Sequence, residues 1–483
     1  MTLVQNHRPL LSGSKELKFL IFVVLLAACS VPKKSGVNKD VQIVTAKTNT
    51  EKDKNPPVEK NANVDIAKKA DSQPAKPIKN LKIIKIDTIR WNDISSGKPA
   101  IKTIEQKTVE YKVGYDFKEK YNIKLLIPIN SDGNALPSDS RFVHFYAGML
   151  KGLETLDDEG VKLQVDVVDT EEGNEKITNR INEILDDSID LVIGPFERDD
   201  VREFAESCKI KSIPLVSPWQ TSTKITTENP YYIQMKPNLK EHFLKIAEFT
   251  SSLYKKGEVA IICKNNKDSN LWIDFFNESA LGISGDADFY TNYFVEEDSL
   301  NSGIAIFNRL YKSKIKAVII PNYSYNDENF IYSCLRKLSA EKGGRQISLY
   351  GMPILYDSDR IDFDFYHSLN MNVVMSDFID QDHGLIREFR RDYLNMFGEI
   401  PTSDAVKAYD LILYLGRNLW KYGRNFQNYL ENEPASYLES TYHIQKTKSE
   451  DSPIADDPTK FDYFENKHLD IIEFKGNKWQ KKN

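Results

Sequence analysis

The stretch "DLVIGPFERDDVREFAESCKIKSIPLVSP", residues 190–218, decides how the chain reads. "DLVIGP" (190–195) is a short apolar run stopped by Gly194-Pro195, the pattern of a buried strand ended by a turn. "RDDVREFAESCK" follows as a helix, and "IPLVSP" (213–218) is a second buried strand. Two fully apolar strands joined through a helix form a parallel β-α-β unit, covered by helices on its faces.

The same alternation extends in both directions. Upstream, "NIKLLIPIN" (122–130) predicts a strand and 139–160 a helix, with Phe142, Phe145, Met149, Leu153 and Leu156 at helical spacing. Asp139 stands where that helix needs a cap, and Gly160 where it stops. "VKLQVDVVDT" (161–170) reads as a strand and 174–187 as a helix. A second block begins with a helix at 241–257 and a strand at 258–263. Helices at 270–281, 303–314 and 329–344 then alternate with strands at 287–294, 316–322 and 346–354. After these come a strand at 372–378, helices around 383–397 and 402–418, and a hairpin turning near Lys475-Gly476-Asn477. Two such blocks predict two α/β lobes, each around a mainly parallel sheet.

The 483 residues suffice for several domains, and a net charge of -6 on a chain of this length points to neither nucleic acid nor an anionic surface as partner. Basic residues are mixed with acidic ones, so no nucleic-acid stripe appears. The seven histidines form no H-E-x-x-H pair. There is no G-x-G-x-x-G, P-loop or G-x-S-x-G elbow, which speaks against dinucleotide, nucleotide and hydrolase chemistry. No cofactor is expected. Asp357, Asp359, Asp362 and Asp364 crowd together but lack the central Gly and final Glu of a calcium loop.

The start of the chain carries a different message. Arg8, Lys15 and Lys18 precede a ten-residue apolar core, Phe19 to Ala28, too short to span a bilayer but suited to a secretory signal. Leu26-Ala27-Ala28-Cys29 resembles the lipobox of bacterial lipoproteins. That resemblance implies removal of 1–28, diacylglycerol on the Cys29 thiol and acylation of the new amine, which together hold a body at a membrane. Cleavage at an ordinary signal site, leaving a free secreted protein, is the alternative. Ser30 to Asn80 holds no aromatic residue and eleven Lys against six acidic residues, so 29–80 reads as a disordered tether. Residues 81–121 read as a small adapter with no assignable chemistry. Once Cys29 is set aside, Cys208, Cys263 and Cys334 are too far apart for a metal or redox motif and read as buried thiols.

Ligands of open parallel sheets sit beyond the carboxyl ends of the strands. In the first block those positions are Asn130 and Ser131, Phe196 and Glu197, and the loop "SPWQTST" (217–223) with Ser217, Trp219, Gln220 and Thr221. Hydroxyls and amides there would hold a polar ligand while Trp219 stacks on it; a solvated turn held by its own Ser and Thr is the alternative. In the second block the equivalents are Asn265, Asp268, Asn322 and Tyr323.

Taken in order, "NIKLLIPI", "HFYAGMLKGLE", "DLVIGPFERDDVREFAE", "IPLVSPWQTST", "NPYYIQMKPN", "EVAIIC", "KAVIIPN" and "FRRDYLNMFGEIPTSDAVKAYDLILYLGRNL" (389–419) resemble the type I periplasmic-binding-protein family, that of the branched-chain amino-acid receptors. The last piece, an F-G-x-x-P turn followed by a helix with Ala408-Tyr409-Asp410, is the most distinctive. The resemblance covers 122–483. It implies two Rossmann-like lobes (about 122–236 with 379–440, and about 237–371 with 455–483), an interlobe cleft, and three crossovers near 235–240, 370–380 and 440–455. It also implies a non-enzymatic solute receptor that closes on an amino acid or other small polar ligand. One departure stands out: the family often has a serine a few residues after the Gly-Pro turn, where this chain has Phe196, Glu197, Arg198 and Asp199. Related lipoproteins use the same fold to dock an envelope protein and regulate cell-wall synthesis, which is the alternative function. Either way the body is expected in the periplasm, tethered to a membrane, with the outer membrane favoured because Ser30 and Val31 lack an inner-membrane retention Asp.

Overall fold

The structure, a computed structural model, describes residues 117–130, 140–171, 176–286, 288–454, 457 and 459–482. The signal segment, Cys29, the tether, nearly all of the adapter, Ser131 and the proposed Asp139 cap lie outside the described residues.

Two seven-stranded sheets organise the body. The first is built from β1 (Tyr121–Ile127), β2 (Leu163–Asp169), β3 (Leu191–Ile193), β4 (Leu215–Ser217) and β5 (Tyr232–Gln234). All are parallel, in the order β2-β1-β3-β4-β5. Its helices are α1 (Ser140–Asp158), the single turn α2 (Ile181–Ile184) and α3 (Arg198–Lys211).

The second sheet repeats the plan with β6 (Val259–Lys264), β7 (Tyr290–Val295), β8 (Ala317–Ile320), β9 (Ser348–Gly351) and β10 (Met371–Met375), again ordered 2-1-3-4-5. Its helices are α4 (Leu239–Leu253), α5 (Lys267–Ser284), α6 (Glu297–Leu300), α7 (Asn308–Tyr311), α8 (Glu328–Glu341), α9 (Ile354–Asp357) and α10 (Phe363–Ser368).

The chain then returns to the first lobe through α11 (Gly384–Phe397) and α12 (Ser403–Tyr422). Here Gly398 (φ 76) ends α11, and Thr402 Oγ1 accepts the Ala405 N–H to start α12. α12 lies against α1 so closely that a Cβ on Gly148 would stand 1.9 Å from the Ala405 carbonyl oxygen. A short ribbon, β11 (Ala435–Ser436) with β12 (Thr441–Tyr442), leads into β13 (Ile444–Thr447) and β14 (Tyr463–Asn466), which extend the first sheet beside β5. The hairpin β15 (Asp470–Lys475) and β16 (Lys478–Lys481) closes the second sheet, turning on Gly476 and Asn477 at positive φ.

The two lobes, the interlobe cleft and three crossovers stand as expected, with the first passage at 235–238 and the second after Met375. The third differs. It falls between Asn466 and Asp470, not near 440–455, because β14 is fully buried and pairs with β5, so 444–466 belongs to the first lobe. Two expected helices also shrink. Over 176–187, the described part of the expected helix 174–187, only a 3₁₀ turn and α2 form, and the Asp186 carboxylate takes the Ser188 N–H at 2.7 Å in the turn that follows. Over 303–314 only α7 forms, because the Glu341 carboxylate accepts from the Ile306 and Phe307 N–H groups at 3.2 and 2.7 Å. The expected strand 346–354 ends at Gly351 and passes into α9. Cys208, Cys263 and Cys334 are buried free thiols.

Candidate functional site

In a 2-1-3-4-5 sheet the chain reverses direction between the first and third strands, leaving a crevice there at the carboxyl ends. In the first lobe this point lies between β1 and β3. Gly194 (φ 87) is required in it, as a Cβ would meet the Leu126 carbonyl oxygen at 2.2 Å. The crevice is filled by rings. Phe196 and Trp219 meet edge to face with centroids 4.5 Å apart, and Phe142 and Phe145 from α1 pack on both at 5.0–5.8 Å. The Arg141 guanidinium covers Trp219 at 3.7 Å and reaches Asp404 on α12 at 3.5 Å.

Trp219 is therefore committed to its own lobe. Gln220 is buried and donates Nε2 to the Phe196 carbonyl at 2.8 Å, fixing the loop to the ring cluster. Ser217 is buried at the end of β4, and strand alternation places it on the Leu215 side of the sheet, opposite the rings. Thr221 is half-buried beside them in sequence. Glu197, at the N-terminus of α3, is exposed and makes no cap bond. Asn130 follows β1 at φ 51 and is half-buried.

In the second lobe the corresponding ends, after β6 and β8, carry charge. Lys264 lies 2.7 Å from Asp327 and 3.3 Å from Glu297, and these carboxylates raise its pKa against the opposing effect of burial. Asn322 is fully buried, with Nδ2 donating to Asp327 at 2.9 Å. Tyr323 packs on Trp272, and burial raises its hydroxyl pKa, with Asp268 adding to the effect. Asp268 is exposed, as is Asn265, whose Nδ2 donates to Glu296 at 2.8 Å. Thus Asn322, Tyr323 and Asp268 gather around one polar cluster, and Asn265 turns away to the end of β7.

Between the lobes lies a group of residues that the strand-end rule does not reach. Lys236, just after β5, donates to the Asp377 carboxylate just after β10, joining the first two passages. Lys407 on α12 stands 3.9 Å from Asp377 and 3.4 Å from Glu439. Ser440 Oγ donates to Asp377 at 3.4 Å, and Ser403 Oγ to Glu439 at 2.7 Å. Burial, reinforced by Lys407, drives the Lys236 pKa well below its ordinary value. From the second lobe Asp357 faces this floor. Desolvation raises its pKa while Lys407 and Lys236 pull it back.

Asp410 fixes the floor from behind, accepting the N–H groups of Leu438, Glu439 and Ser440 at 3.2, 2.8 and 2.8 Å. Its burial outweighs those bonds and pushes its pKa up to about 7. The space lined in part by Trp219, Met235, Lys236, Asp377, Lys407, Ser440 and Tyr442 measures about 20 Å³, enough for one or two waters. Trp219, just after β4, is the sequence candidate that lines this space. Lys236 and Asp377, 141 residues apart, gave no sequence signal.

No protein-family model matches the sequence, and no curated protein matches it. Solved structures do. A structure described as a branched-chain amino acid ABC transporter from Rhodospirillum rubrum is 14% identical with a TM-score of 0.56, over 75% of this chain and 100% of that one. The periplasmic ligand-binding protein of a branched-chain amino acid ABC transporter from Burkholderia xenovorans LB400 is 12% identical with a TM-score of 0.51, over 75% and 94%. At such identities the likeness is one of fold, and the body has the type I periplasmic-binding-protein fold.

Proposed function

We propose that the chain is a non-catalytic binding protein of the bacterial cell envelope, anchored through lipid on Cys29, that receives a small polar solute between its lobes. The observation that carries this reading is the convergence of Lys236, Asp377, Lys407 and Ser440 at the meeting of the crossovers, with Trp219 and Tyr442 beside them. Ammonium, carboxylate and hydroxyl groups set next to two rings suit a solute that has charge at one end and an apolar remainder. An amino acid is one such solute, and the two structures compared above carry branched-chain amino-acid transport in their descriptions. The ring-filled crevice after the Gly-Pro turn moves the recognition groups from that crevice to the crossovers. Since the enclosed space admits only a water or two, the solute enters by parting of the lobes, and binding shifts the population between open and shut forms. The fold's role in uptake would make the chain a transport receptor.

Thermal-shift titration with amino acids, short peptides and small organic acids at millimolar concentration tests the proposal. A stabilising solute whose effect disappears in Lys407→Met supports it. No shift with any of them, in a protein whose unliganded melting is cooperative, removes it.

One observation favours a second reading, an envelope scaffold that docks a partner protein. The first-lobe wall is packed on itself, ring against ring, in the way of a core and not of an empty receptor. In-cell cross-linking that recovers an envelope protein, together with a blank solute screen, would select it.

A further inference from the structure

A second concave site lies on the second lobe, beginning at the carboxyl strand ends beside Glu297, and shares no lining residue with the cleft floor. It is a groove of about 530 Å³, within the range of small-molecule sites. α8 explains its position. Phe330, Ile331, Cys334, Leu335 and Leu338 bury one helix face in the core. The opposite face therefore presents Asn329, Tyr332, Ser333 and Arg336 in the i, i+3, i+4, i+7 pattern. Asn301, just after α6, forms one wall, and Arg360, in the turn before α10, forms the other.

The lining is rich in donors and is held in place before any ligand arrives. Arg336 Nη2 donates to the Asn301 side-chain oxygen at 3.2 Å and to the Leu300 carbonyl at 3.4 Å. Both acceptors are neutral, and among the described residues Arg336 has no ion-pair partner. Arg360 lies over the Tyr332 ring at 4.8 Å and donates to the Asn329 side-chain oxygen. It also pairs with Glu328 Oε2 at 3.7 Å, while the other oxygen of Glu328 accepts from Ser358 Oγ at 2.6 Å. The one carboxylate that lines the groove, Glu297, is paired with Lys264. With their oxygens accepting from arginine, Asn301 and Asn329 line the groove with the Ser333 residue and keep their amide N–H groups as donors. Two guanidinium groups fit an oxyanion by paired N–H donors. The amides and hydroxyl beside them fit ring hydroxyls and acetamido oxygens. The volume far exceeds that of a lone phosphate.

We propose that this groove binds an anionic carbohydrate, with its acid group on Arg336 and Arg360 and its sugar ring along Asn301, Asn329 and Ser333. The site stands on its own elements and does not depend on what the cleft between the lobes receives.

Isothermal titration of the purified chain with a hyaluronan tetrasaccharide tests it, against neutral chitotetraose, inorganic phosphate and hexaglutamate as comparisons. The proposal expects the acidic tetrasaccharide to bind at least tenfold more tightly than chitotetraose, and to weaken as salt rises. Arg336→Gln and Arg360→Gln should each weaken it about tenfold at unchanged melting temperature. Ser333→Trp, which fills the groove and keeps both arginines, should weaken it as well. Equal binding of the neutral sugar, phosphate binding as tight as the tetrasaccharide, no binding at millimolar concentration, or unaltered binding by both arginine variants each overturns it. Preference for hexaglutamate over the tetrasaccharide overturns it in favour of an acidic peptide.

Discussion

The carboxyl ends of the strands are furnished differently in the two lobes, although both sheets have the same strand order. In the first lobe Phe142, Phe145, Phe196 and Trp219 interlock there, under the Arg141 guanidinium. In the second lobe Lys264, Asp327, Glu297 and Asn322 form a charged network at the matching ends. Topology fixes where a cleft opens, and the loop residues fix what it offers. Among the described residues, rings fill the first crevice and charged groups the second. The polar groups between the lobes are Lys236 and Asp377 at the crossovers, with Lys407 on α12 and Ser440 before β12 beside them.

If the first lobe is the tightly packed one, its close helix contact should be the least tolerant point. Gly148→Ala puts a methyl against the Ala405 carbonyl and should cost about 3 kcal/mol or more, read as a lower denaturation midpoint. An unchanged midpoint would mean that α1 and α12 separate without penalty, and the contrast between the lobes would weaken. Trp219→Ala should cost roughly 2–4 kcal/mol by leaving a hole among three other rings. A cost below about 1 kcal/mol would return Trp219 to the role of a ligand-stacking residue that the lobe does not need for stability.

The Asp410 anchor gives an intermediate effect with a definite sign. Its native pKa of about 7 stands above its ordinary 3.8, so between those values the folded chain keeps a proton that the unfolded chain has lost. Its contribution to stability is thus fully present below about pH 4 and declines as pH rises through 7. Asp410→Asn lacks this slope. The difference in unfolding free energy, wild type minus variant, should fall between pH 4 and 7 by on the order of 1 kcal/mol or more. A difference that rises over that range contradicts the assignment. The smallest effect belongs to the second lobe. A double-mutant cycle of Lys264→Met with Asp327→Asn should give a coupling of roughly 0.5–1 kcal/mol, since both side chains retain some solvent contact.

These contrasts also show how far the residues alone could be read. Strands such as Val259–Lys264 and Ala317–Ile320 are buried almost without interruption, and their apolar runs announced them. The F-G-x-x-P turn and the helix behind it gave α11 and α12 nearly to the residue. Tyr463–Asn466 was overlooked because half of it is polar. Glu465 is buried there by accepting from the Asn238 N–H and side-chain amide, and Asn466 by donating to the Met235 carbonyl. Those partners lie more than 200 residues away, so no local pattern betrays the strand. The short α7 shows the reverse error, where helical spacing was present but the Glu341 carboxylate took the Ile306 and Phe307 N–H groups. Of the site, the strand-end rule found Phe196, Trp219, Asn322 and Tyr323 at the crevices. It did not foresee that the rings would bind each other, nor that Lys236 at a crossover and Lys407 on α12 would meet at the floor.

In the function proposed for this chain, the floor between the crossovers receives a small solute. The most direct measurement is a crystal structure of the chain purified, without refolding, from the cells that make it. That proposal predicts density for a small molecule between the lobes, in contact with Lys236 or Lys407, with the lobes parted enough to admit it. Lobes found shut on the ring cluster with only water at Lys236 and Lys407, in a chain that also takes up no solute in titration, would contradict it.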